Sequence, residues 1–105
     1  MNDITIFNHL GNNIRVTTNK QGEPLFVLKD ICDALDLKNI SDVASRLDED
    51  GVSTTEVTDN LGRKQKTNAV TEAGLYEVIF MSRKPEAEKF ERWVTNEVLP
   101  STRKH

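Results

Sequence analysis

One cysteine, Cys32, is too few for an internal disulfide or for a cysteine-based zinc site. No apolar run is long enough to cross a bilayer, and no charged-then-apolar leader opens the sequence, so neither a membrane span nor a secretion signal is expected. The two histidines, His9 and His105, are too far apart in sequence for metal-ligand spacing. Gly51, Gly62 and Gly74 do not make a phosphate-binding loop. Asp48-Glu49-Asp50 closes a helix ahead of a glycine, which is the setting of a solvated turn. Neither catalysis nor a cofactor or metal is expected. There is no repeat, low-complexity stretch or interdomain linker either, so one domain is expected over 1–105.

What remains is an ordinary globular composition, 30% charged and 36% hydrophobic over 105 residues, large enough for one core without staples. The net charge of −3 is unevenly spread. Residues 1–60 hold five basic and eleven acidic side chains, a balance of −6; residues 61–105 hold nine basic and six acidic, a balance of +3. A net acidic chain can still bind DNA if its cations share a face, and the second half is where such a face belongs.

Period-two patterning fills the first third. A strand is expected from Ile4, a turn at Gly11-Asn12-Asn13, a second strand over 14–18, a turn at 19–22 and a third strand over 24–28. The period then changes. Leu28, Ile31, Cys32 and Leu35 mark one face of a short helix, and Ser41 is the expected N-cap of another with Val43, Ala44 and Leu47 on its buried face. Valine and threonine favour a strand over 52–57, turn residues follow at 59–62, and 63–70 returns as its partner. Thr71 caps the next helix. Leu75, Val78, Ile79 and Ser82 share one face of it, and Phe90, Trp93, Val94 and Val98 one face of the last helix. Pro85 suits a first helical turn, and Pro100 is the expected stop. The order is three strands, two helices, two strands, two helices. That is an α+β domain: a β-meander, a helix-turn-helix-like pair, a basic β-hairpin and a C-terminal helical hairpin.

The blocks Phe26-Val-Leu-Lys-Asp-Ile-Cys-Asp-Ala-Leu35, Ser45-Arg-Leu-Asp-Glu-Asp50, Thr71-Glu-Ala-Gly-Leu-Tyr76, Ser82-Arg-Lys-Pro-Glu-Ala87 and Phe90-Glu-Arg-Trp-Val94 through Glu97-Val-Leu-Pro-Ser101 run through most of the chain. Together they closely resemble the Bro-N domain, the N-terminal module of the BRO family. The family includes phage antirepressors and BRO proteins of large insect DNA viruses. The resemblance implies DNA binding, a place in phage or prophage gene regulation and a cytoplasmic location in a bacterial host. Family members usually carry a second, C-terminal domain, so 1–105 is expected to be the N-terminal part of a longer protein.

Two kinds of contact are open. For double-stranded DNA, Arg63, Lys64 and Lys66 lie within four positions at the second hairpin and have the makings of a phosphate-gripping β-ribbon. Lysines on a solvated sheet edge would look the same. Arg83 and Lys84 stand at the apex of the helical hairpin, with Arg92 on its last helix, where Glu88 is a ready surface partner. Asn39 and Arg46 flank the second helix of the early pair and have base- and phosphate-binding chemistry. Asp33, Asp36, Asp42 and Asp48 surround that helix and would repel a phosphate backbone. The alternative partner is therefore a phage repressor protein, met through Asp33 and Asp36. A homo-oligomer is compatible with either. Tyr76 and Trp93 could stack on bases, but their helical spacing fits core packing better, and Trp93 is expected between the C-terminal helices and the sheet.

Overall fold

The computed structural model describes residues 4–58, 61–82 and 84–102. The expected meander forms from β1 (Thr5–His9), β2 (Asn12–Thr18) and β3 (Pro24–Val27), all antiparallel. The first turn is tighter than expected. Leu10 (φ 51°) and Gly11 (φ 87°) alone join His9 to Asn12. Positive φ at both positions gives the twist that paired strands require. Asn12 and Asn13, expected in the turn, are strand residues, and the Asn8 side-chain amide donates to Asn13 Oδ1 across the pair at 3.0 Å.

β3 runs directly into α1 (Leu28–Ala34). Here the sheet ladder is finished by a side chain. β3 pairs with β2 only from Val16 to Thr18, and beyond that point Asp30 accepts the Arg15 backbone N–H at 2.9 Å. The same carboxylate takes the Arg15 guanidinium in two bonds, 2.8 and 3.0 Å, which raises the Arg15 pKa further. α1 ends in a Schellman motif: Leu37 N–H reaches Cys32 C=O, Asp36 N–H reaches Asp33 C=O, and Asp36 itself takes φ 58°. Then come α2 (Ile40–Arg46), a single 3₁₀ turn (Glu49–Gly51), β4 (Val52–Thr58) and β5 (Lys64–Val70).

The two hairpins join into one five-stranded antiparallel sheet of order β1-β2-β3-β5-β4. One face carries Ile14, Val16, Phe26 and Val70 into the main core. The helices α1, α3 (Glu72–Met81) and α4 (Pro85–Trp93) cover it with Ile31, Leu75, Val78 and Phe90. Fully burying a phenylalanine such as Phe26 or Phe90 contributes about 1.5–3 kcal/mol. The other face is not bare: Thr17, Leu25, Val27, Thr55, Val57 and Ala69 are buried there.

Thr71 caps α3 as expected, its hydroxyl accepting Gly74 N–H at 3.3 Å, and Pro85 opens α4. Pro100 does not stop the last helix. α4 passes into a π-helical turn (Val94–Val98) and then α5 (Leu99–Thr102). The Leu99 N–H bonds back five residues to Val94 C=O. This wide turn displaces the carbonyls on which a proline ring would clash, and it keeps Val94, Val98 and Leu99 all buried. Trp93 is half-buried where the last helices meet the β1 edge of the sheet, as expected. It lies against Phe7 and His9 of the β1 hairpin and Phe90 of its own helix, with ring centroids 6.3, 4.6 and 5.6 Å away.

Candidate nucleic-acid interface

The strongest arrangement of cations is on the second hairpin. β4 and β5 pair over their whole length, Val52↔Val70 through Thr58↔Lys64, whereas β5 meets β3 only at Ala69 and Val70. Residues 64–68 with 54–58 therefore run on past β3 as a two-stranded ribbon, about 17 Å of strand at ~3.4 Å per residue. Alternation puts Lys64, Lys66 and Asn68 on one side of it, all exposed. The opposite side carries Thr55 and Val57, which are buried. The ribbon thus has buried residues on one face and its exposed lysines on the other. Arg63 is exposed at the start of β5. Glu56 stands directly across from Lys66 and offsets part of its charge, a cross-strand partner that counting cations along the chain overlooks.

The remaining candidates are tied up differently. Asn39, rather than Ser41, is the N-cap of α2: its side chain accepts Asp42 N–H at 3.0 Å. Arg46 pairs with Asp42 at 3.1 Å and Arg92 with Glu88 at 3.0 Å, each one turn along its own helix and well exposed. Such surface pairs are worth about 0–1 kcal/mol and yield readily to a phosphate. Lys84 and Asp36, set apart by sequence as DNA contact and protein contact, bind each other. This ion pair staples the end of α1 to the apex between α3 and α4, and the Lys84 ammonium holds the Asp36 carboxyl below its usual range. Asp33 is exposed on α1. Arg83 lies outside the described residues. The cations of the ribbon, of α2 and of the last helix sit on different elements, and of these only Lys64 and Lys66 are placed together by strand register.

Cys32 and Phe90 are buried in the core, and Tyr76 and Trp93 are half-buried against it. Burial pushes the Cys32 thiol up to about 11, so it stays a thiol, packed on the apolar face of α1. Among the described residues no group of histidine, cysteine and carboxylate side chains could hold a metal ion. No helix among them is long and apolar enough to cross a membrane.

Residues 13–100 match the family model of Bro-N, the BRO family N-terminal domain. The chain belongs to the BRO family. The matched region takes in every described element except β1 and the end of α5, so the Bro-N domain here comprises most of the sheet and all the helices that cover it. An uncharacterised protein of Haemophilus influenzae is 37% identical over 91 residues, which are 87% of this chain. The chain spans about 45% of that relative's length. No solved structure matches.

Proposed function

We propose that this Bro-N domain is the DNA-binding regulatory module of a phage or prophage antirepressor and grips duplex DNA through the β4–β5 ribbon. The observation that carries the reading is the pair Lys64 and Lys66, exposed on one face of a two-stranded arm whose other face carries the buried Thr55 and Val57. A β-ribbon fits the major groove, and lysines projecting from it meet phosphates as mobile point charges. Arg63, just before β5 at the turn end of the ribbon, adds a third cation, and Arg46 and Arg92 are secondary contacts released from their helix partners.

Binding of a fluorescent random-sequence duplex, titrated over a salt series, tests the reading. Each phosphate neutralised steepens the logarithmic fall of affinity with salt by about 0.9. The combined variant Arg63→Ala, Lys64→Ala, Lys66→Ala is expected to weaken binding and flatten that slope by up to about three phosphates' worth. Glu56→Gln is expected to tighten binding by removing the opposing charge. A triple variant with unaltered affinity and slope takes the ribbon out of the contact surface.

The alternative, contact with a phage repressor protein, requires Asp36 to leave its exposed pair with Lys84. Asp33 remains as an exposed acidic group on that side.

A further inference from the structure

Phe80 is 91% exposed, the most exposed of the large apolar residues among those described. A single exposed apolar side chain is unremarkable on a protein surface. Phe80, however, is not isolated. Tyr76 and Met81 are half-buried beside it, and the three line an open, mainly apolar depression of about 390 Å³ together with Glu77. Ala73, Tyr76, Glu77 and Phe80 follow at the spacing of one helix face, and this is the face of α3 opposite the one that packs Leu75, Val78 and Ile79 into the core.

Carboxylates border this depression, while Lys84, at the apex just beyond α3, is paired with Asp36. Glu77 lines the depression, and Glu72 Oε2 accepts the Tyr76 hydroxyl at 3.4 Å. Glu91, on α4, is close enough to help raise the Tyr76 pKa after burial has done so. The 3₁₀ turn packs on α3 beside Glu77: a Cβ at Gly51 would lie 3.0 Å from Gly74 Cα and 3.5 Å from Glu77 Oε1. From Glu72 to Met81 the helix itself contains no basic residue.

We propose that the Phe80 face of α3 is a docking site for a basic polypeptide segment that seats an apolar side chain against Phe80, Tyr76 and Met81. The acidic rim selects the occupant. A nucleic acid would bring phosphates against glutamates. A second copy related by a two-fold axis would bring rim against rim, because such an interface sets the same patch on itself. A segment with lysine or arginine on either side of an apolar anchor satisfies both the apolar floor and the carboxylates. This surface is independent of the ribbon, so a partner held here and DNA held there can be bound together.

Three synthetic fluorescein-labelled peptides of equal length test the assignment by anisotropy on the full chain. One carries Leu-Phe flanked by lysine and arginine, the second the same apolar pair flanked by glutamate, and the third the basic flanks around Ser-Ser. The first is expected to bind saturably and the other two at least about tenfold more weakly. Phe80→Ser is expected to reduce binding of the first peptide about tenfold or more. Glu77→Gln with Glu72→Gln should lower it and flatten its salt dependence. Because Phe80 is exposed, Phe80→Ser should leave thermal unfolding and DNA affinity unchanged, which separates failure of this site from failure of the ribbon. Equal affinity for all three peptides, no binding of the first, or full binding by Phe80→Ser overturns the proposal. So does concentration-dependent dimerisation that Phe80→Ser abolishes, which would make a second copy the occupant.

Discussion

His9 shows how a single side chain couples this fold to pH. Its ring lies 4.6 Å from that of Trp93 and 5.4 Å from that of Phe90, and burial there lowers its pKa, while Glu97 partly opposes the shift. The fold therefore favours neutral imidazole. Above the ordinary histidine pKa of about 6.5 neither folded nor unfolded chain carries the proton, and His9 has no effect on stability. As pH falls below that value the unfolded chain takes up its proton first, and stability declines until the folded pKa is passed. Melting temperature is expected to drop between pH 7.5 and pH 5.5, and His9→Phe is expected to reduce the drop. An equal drop in both proteins would assign it to other groups. Asp30 is the other residue of consequence that sequence reading passed over. Nothing in a period-based reading distinguishes an aspartate on a helix from one that ends a sheet ladder, because its partner Arg15 is fifteen positions away.

At the scale of elements, the 3₁₀ turn and the start of α3 cross with almost no space between their backbones. Gly51 C=O accepts Thr71 N–H at 3.0 Å, and a Cβ built on Gly74 would lie 2.2 Å from that same oxygen. No side chain can move aside, since the obstacle is backbone. Gly74→Ala must push the turn away from α3, and a cost of roughly 1–3 kcal/mol is expected even though alanine is the better helix former. A lowered urea midpoint with an unchanged slope is the readout; an unchanged or higher midpoint would mean that the crossing relaxes at no cost. The elements themselves were largely legible. Apolar spacing located α1, α3 and α4, Thr71 marked a cap and Pro85 a start, because these are local effects. The departures have physical causes that are not local. Asn39 and Ser41 are both good caps two positions apart, and the helix starts from Asn39, which puts Ser41 inside its first turn. The π turn that accommodates Pro100 depends on Val94, Val98 and Leu99 all finding the core. For the candidate site, the sequence located the cations of the ribbon but neither their shared face nor Glu56, because register is set by pairing and not by composition. Likewise Lys84 and Asp36, assigned opposite roles 48 positions apart, meet only in three dimensions.

For the whole molecule, the decisive connection is the short pairing of Phe26 and Val27 with Val70 and Ala69. It turns a meander and a hairpin into one sheet, and its Phe26 and Val70 face the same core as Leu75 and Phe90. Neither unit is large enough to be stable alone, since an isolated hairpin is marginal in water. Both are nevertheless local, and their turns close quickly. The rate of folding is then governed by the one strand contact that must span more than forty positions and bear the loop-closure entropy of everything between. Val70→Ala, at that junction, is expected to slow folding by most of what it removes in stability, with φ above about 0.5. Val57→Ala, out on the ribbon and paired with β5 alone, is expected to act chiefly by accelerating unfolding. Stopped-flow chevrons of the two variants decide the matter, and a φ near zero at Val70 would place the junction after the barrier. If the junction forms in the transition state, the basic arm completes itself on a sheet already assembled. The sequence of the arm can then vary with the demands of its ligand while the barrier to folding stays where Phe26 and Val70 set it.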